Sequence, residues 1–229
     1  MATIFLIRHG LTAVTGSKLY GRTPGFHLDE RGRAQAERLV ARFGAVRLTA
    51  IYSSPLERCL ETVEPLAAAT RLPIMTREAL IEMDAGTWTG RSLASLRRTK
   101  LWRELQLSPS TFRFPGGEAF SDARDRVVIE VERIARRHGR GRVAIATHGD
   151  LARIALAHFS GIPFDAFQRT VVDTASVSVV QLSSGRPRVL LVNDTGDGLE
   201  RFGTGGPTHP WEASAHVDGR SRTHGNLRG

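Results

Sequence analysis

The chain has 229 residues, 41% of them hydrophobic, which suffices for one domain of ordinary size with a substantial core and leaves little for a second. No run of about twenty uncharged apolar residues occurs, and no basic region leads into an apolar stretch and a small-residue cleavage site; neither a membrane span nor a secretory leader is expected, and the expected location is cytoplasmic. The net charge of +9 belongs wholly to the first 196 residues, because Arg201, Arg220, Arg222 and Arg228 balance Asp197, Glu200, Glu212 and Asp218 beyond them.

Ala2 to Ile7 reads as a strand and runs straight into Arg8, His9 and Gly10. A glycine-marked loop follows from Gly16 to Gly25, after which Ala36, Leu39, Val40 and Phe43 recur at helical spacing. The next strand, Ala50 to Ser53, leads into Ser54, Pro55, Leu56, Glu57 and Arg58. There serine can cap a helix, proline suits its first turn, and Arg58 falls near the helix N-terminus. Glu82 and Asp84 share a strand-like stretch and so one side of it, and a short insert runs from Gly90 to Phe114. A second long loop, Ser108 to Gly117, precedes the helical pattern Val127, Val131, Ile134, Ala135 and His138.

The strand Arg142 to Thr147 then ends in His148, Gly149 and Asp150 and is followed by the helical spacing of Leu151, Ile154, Ala155 and His158. Val177 to Leu182 and Arg188 to Val192 are the last two strands. Beyond Asp194 apolar periodicity stops, so the domain is expected over 1–196, with 197–229 a disordered tail. Alternating strands and helices indicate an α/β domain with a mainly parallel sheet covered on both faces.

Two histidines, each followed by glycine, thus stand at the carboxyl ends of strands, where open α/β sheets bind ligands. If those strands are parallel neighbours, His9 and His148 face one crevice. A helix N-terminus favours an anion and a guanidinium clamps two phosphate oxygens, so Arg58 points to a phosphate; the bland alternative is a surface arginine. A basic domain of this kind is expected to bind small phosphates, not nucleic acid. The lone Cys59 can form no internal disulfide and is expected to be buried packing. Position 65, six residues on, is Pro65 where a cysteine phosphatase needs arginine.

Arg8-His9-Gly10, Gly21-Arg22, Ser53-Ser54-Pro55 with Arg58, Glu82 and His148-Gly149 resemble, in order and spacing, the histidine phosphatase superfamily, also called phosphoglycerate-mutase-like. The resemblance spans about residues 3 to 195 and includes Leu28 to Gly32, Gln35-Ala36 and the stretch Glu82 to Gly90 around Trp88. It implies a three-layer αβα sandwich with a mostly parallel central sheet. It also implies His9 as the phosphate-accepting nucleophile, Arg8, Arg58 and His148 as holders of the phosphoryl oxygens, and Glu82 as proton donor, with Asp84 its rival. Thr12, Thr15, Gly21, Arg22 and Gly149 would contact substrate, Glu118 would border it, and Trp88 is expected in the core.

Two arginines would supply the neutralising charge that other enzymes assign to magnesium, so neither metal nor cofactor is expected. Leu11 and Thr15 stand where many relatives carry an acidic residue or glutamine and an asparagine, which weakens substrate assignment by analogy without touching the chemistry at phosphorus. The function expected is hydrolysis of a small phosphorylated metabolite through phosphohistidine. The alternatives are a phosphoglycerate-mutase-type phosphomutase, in which Arg97, Arg98, Lys100 and Arg103 would gather a second phosphate, and a noncatalytic phosphate-binding module. The sequence carries no reading of oligomeric state.

Overall fold

A computed structural model describes residues 1–182, 186–196 and 198–203. Six strands, β1 (Ala2–Arg8), β2 (Ala50–Ser53), β3 (Ile74–Thr76), β4 (Arg142–Thr147), β5 (Val177–Leu182) and β6 (Arg188–Asp194), form one sheet in the order β3-β2-β4-β1-β5-β6. β3, β2, β4 and β1 pair in parallel, whereas β5 is antiparallel to both its neighbours. The sheet is therefore mostly parallel, with one reversed strand.

Side chains alternate across β1. Phe5 and Ile7 join Ile51, Ala144 and Ala146 in the cluster under α1 (Glu30–Arg42) and α2 (Glu57–Thr70). Ile4 and Leu6 join Val143, Ile145, Val131 and Ile154 on the opposite face. Between Gly90 and Phe114 lie two short helices, α3 (Leu93–Leu96) and α4 (Lys100–Leu107), and the opposite face is covered by α5 (Phe120–His138) and α6 (Gly149–Ser160). A strand apolar on both sides must be covered on both sides, and the αβα sandwich follows.

Four expectations are corrected. β3 went unread because it is three residues long and only partly buried. The serine-proline turn does not cap α2 with a side chain: Leu56 is the N-cap and Pro55 precedes the helix, because the Ser54 hydroxyl lies 2.8 Å from Nε2 of His148. Glu82 and Asp84 lie not on a strand but between two 3-10 turns, Glu78–Leu80 and Gly86–Trp88, and the Asp84 carboxylate accepts from the Gly86 amide at 2.9 Å. The domain does not stop at 196, since Leu199 and Phe202 are fully buried, and the Phe202 ring meets Phe5 edge-on at 5.8 Å. Two apolar side chains in a polar stretch are enough to dock it. Asp197 and residues 204–229 of the expected tail lie outside the described residues.

Candidate active site

Parallel pairing of β1 with β4 sets Arg8 opposite Thr147, so the next residues, His9 and His148, emerge side by side; their rings meet edge-on with centroids 5.4 Å apart. His9 is buried, and its Nδ1 lies 2.8 Å from the Gly10 carbonyl. A carbonyl only accepts, so Nδ1 carries the proton and Nε2 keeps its lone pair. Burial, then the charges of Arg58 and Arg8, push the imidazole pKa down to about 3. His9 is therefore a neutral ring with a free ε nitrogen.

Arg8 donates from Nη1 to the Val172 carbonyl at 2.7 Å, in the segment that leads into β5. Its guanidinium lies against the start of α6: a Cβ on Gly149 would stand 3.2 Å from Arg8 Nε, tighter than an ordinary contact, which suits glycine there. Arg58, in the first turn of α2, is fully buried and donates from Nη2 to the Gly21 carbonyl at 2.9 Å. Gly21 can present that carbonyl because its φ is +46°, and a Cβ there would press on the Met83 carbonyl at 2.9 Å. Arg58 Nε and Nη1, and Arg8 Nε, are buried without a hydrogen-bond partner among the described residues. Buried guanidinium N–H groups left without partners are costly, and an anion is the ligand that satisfies them.

Glu82 closes the site opposite the histidines, one carboxylate oxygen 3.9 Å from Nδ1 of His148. Burial and the nearby Asp150 charge push its pKa up to about 7. His148 is held neutral, its pKa lowered by burial and by Arg58. Cys59 touches His148 and donates to the Thr147 carbonyl at 3.5 Å; burial pushes its thiol up to about 12, so it stays a neutral packing group.

These residues open into a cavity of about 390 Å³. Arg8, His9, Thr15, Gly21, Glu82 and Gly149 line it, while Arg58 and His148 are buried behind them. The outer wall takes apolar side chains from both long loops and the insert, namely Leu19, Tyr20, Leu93, Trp102, Leu105 and Phe114, with the cations Lys18, Arg97 and, from α6, Arg153 among them. Arg98, Lys100 and Arg103 are not part of it.

The remaining residues singled out in the sequence divide. Thr12 is buried and bonds through its hydroxyl to Thr15 and Tyr20 at 2.9 and 3.2 Å, so it supports the wall from behind. Arg22 and Glu118 turn away from the cavity and pair with each other at 3.1 Å beside the Glu82 backbone. Trp88 is core, as expected. Sequence reading missed Tyr20, whose ring lies over Arg58, and Arg126, which binds the Glu82 segment. Tyr20 offered a signal as the one tyrosine in the Gly16–Gly25 loop; Arg126 offered none among thirty arginines. Among the described residues no cluster of three or more His, Cys, Asp and Glu side chains is placed to hold a metal ion, and no helix is long and apolar enough to cross a membrane.

A neutral imidazole flanked by buried guanidiniums at the carboxyl edge of an α/β sheet defines the class: an α/β protein with an anion pocket built around a histidine. Residues 4–195 match the family model of the histidine phosphatase superfamily (branch 1), and the chain belongs to that superfamily. It is 29% identical to phosphoserine phosphatase 1 of Hydrogenobacter thermophilus over 200 residues, covering 85% of this chain and 93% of that protein. The solved structure of Bacillus stearothermophilus YhfR superposes with a TM-score of 0.80 at 30% identity, over 86% of this chain and 99% of the other. The mycobacterial glucosyl-3-phosphoglycerate phosphatase Rv2419c in complex with VO3 superposes with a TM-score of 0.76 at 25% identity, covering 83% and 98%.

Proposed function

We propose that this chain hydrolyses small phosphomonoesters through a phosphohistidine formed at Nε2 of His9. One observation carries the reading: His9 keeps a free ε nitrogen beside buried arginine N–H groups that have no hydrogen-bond partner among the described residues. A phosphate dianion supplies the missing acceptors, and its oxygens take hydrogen bonds from Arg8, Arg58 and His148. Nε2 then attacks phosphorus in line as the ester P–O bond breaks, with the charge on the three remaining oxygens met by fixed donors. Glu82, protonated in appreciable part near neutrality, gives its proton to the departing alkoxide. As carboxylate it takes a proton from the water that attacks phosphohistidine, and inorganic phosphate leaves.

The arginines provide the positive charge this chemistry needs, so the reaction is proposed to run without metal or cofactor. Thr15, Gly21 and Gly149 border the ester's alcohol portion, and names of relatives such as phosphoserine phosphatase support a small phosphorylated metabolite as substrate. A mutase would hold a second phosphate; of the insert cations only Arg97 lines the cavity, but Lys18 and Arg153 line it too, so it is the relatives named as phosphatases that favour water as acceptor. No nucleic acid is required to account for the charge, and the buried single cysteine fits a cytoplasmic setting. The test is rapid quench with a 32P-labelled monoester in the presence of EDTA. Acid-labile, alkali-stable label on His9 is expected; label on Cys59 or on a carboxylate would refute the mechanism.

A further inference from the structure

Glu82 belongs to neither helix nor strand, so the backbone ladder that holds His9 and His148 in place does not extend to it. Its position is fixed by side chains. Arg126, in the second turn of α5, donates from Nη1 to the carbonyls of Ala79 and Ile81 at 2.8 and 2.7 Å and from Nη2 to that of Glu82 at 3.3 Å. Its other N–H groups reach Glu118, Nε to Oε1 at 2.7 Å and Nη2 to Oε2 at 3.0 Å. All five donors of the guanidinium are thereby engaged. From the other side Arg22 donates from Nε to the same Glu82 carbonyl at 2.9 Å and pairs with Glu118 Oε2 at 3.1 Å, and that carboxylate also accepts from the Asp84 amide at 3.3 Å.

We infer that Arg126, with Arg22 and Glu118, is a positioning device that holds the Glu82 carboxyl at the leaving-group oxygen, gripping the Glu82 carbonyl between two guanidiniums. The inference rests on Glu82 being the proton donor. Arg126 touches neither substrate nor phosphorus; it acts through Glu82. Three carbonyls and a bidentate carboxylate are met by a planar fork with five donors, and lysine, with three donors on one nitrogen, cannot meet them together. Loosening the grip takes the acid out of hydrogen-bond reach, and only esters that need a proton at the leaving oxygen suffer.

The experiment compares kcat/KM for an alkyl phosphate, whose alkoxide must be protonated, with that for p-nitrophenyl phosphate, whose phenolate departs unaided. Glu82→Gln should reduce the alkyl ester on the order of a hundredfold or more and the nitrophenyl ester far less. Arg126→Lys and Arg22→Ala should show the same selectivity at smaller size, roughly tenfold on the alkyl ester, with KM little changed. Arg126→Ala leaves Glu118 half-partnered and can fail to fold; Arg126→Lys, checked by thermal unfolding, then decides. Equal losses on both esters in the Arg126 and Arg22 variants, with Glu82→Gln still selective, overturn the positioning role alone. Equal losses in Glu82→Gln itself overturn the assignment of Glu82 on which it rests.

Discussion

The Tyr20 ring lies over the guanidinium of Arg58, with Cζ 4.8 Å from the ring centroid. Together with the Gly21 carbonyl it holds the arginine from two sides, leaving Nε and Nη1 for an anion. A partly desolvated cation–π contact contributes up to about 2 kcal/mol, so Tyr20→Leu should lower kcat/KM by roughly tenfold or more, while Tyr20→Phe keeps most of it. Steady-state kinetics on one monoester decides; equal losses in the two variants would trace the effect to the hydroxyl bonded to Thr12 instead.

His9→Ala should abolish turnover and leave the thermal midpoint close to that of the parent, since it removes one ring at the sheet edge and no core strand. Arg8→Ala and Arg58→Ala should each cost on the order of a hundredfold in kcat/KM, because each removes a charge-assisted clamp from the transferring group. EDTA should cost nothing. Dependence on added magnesium or zinc would contradict the assignment of the positive charge to arginine.

Glu82 makes activity and stability respond to pH in one direction. Activity on alkyl esters requires the protonated acid and should fall as pH rises through about 7. Folding of the ligand-free protein also favours that form: the folded pKa lies above the unfolded value of about 4.3, so the group's contribution is fully present below the unfolded value and lost as pH rises through the folded one. Glu82→Gln, neutral throughout, should raise the melting temperature more at pH 8 than at pH 5. A difference of the opposite sign would show that the carboxylate is stabilised in the folded site.

Phe202 is fully buried against Phe5, so Phe202→Ala should destabilise by about 3 kcal/mol. Ending the chain after Gly196 should lower the melting temperature markedly, whereas ending it after Gly203 keeps both Leu199 and Phe202. Denaturant melts of the three chains test this; an unchanged midpoint in the shortest one would mean the contact contributes nothing.

The sheet and the edge that carries the candidate site were legible because they depend on local patterns. Five apolar runs became strands within two residues of their expected ends, and two His-Gly pairs at strand ends met as soon as the strands paired in parallel. What stayed hidden depends on partners distant in sequence. The Ser54 hydroxyl looked like a helix cap because the competing His148 ring is 94 residues away. Arg22 looked like a substrate contact because its partners, Glu118 and the Glu82 carbonyl, are distant in sequence, and Glu118 did because its partner Arg126 is one arginine on a helix that carries several. The Leu199 and Phe202 contact was obscured by the glycine and charge around it.

The floor of the cavity is made by Arg8 and His9 at the end of β1 and by Gly149 at the start of α6, with Arg58 of α2 buried behind it; much of the outer wall comes from the loop before α1 and from α3 and α4. In the proposed reaction the groups at phosphorus and most of the apolar wall therefore lie on separate parts of the chain, with Tyr20 and Gly21 touching both. Mutation can remodel Leu93, Trp102 or Leu105 and change which alcohol is accepted while the histidines and arginines stay fixed. Such a scaffold lets a lineage exchange substrates by small steps, each of which passes through a working enzyme.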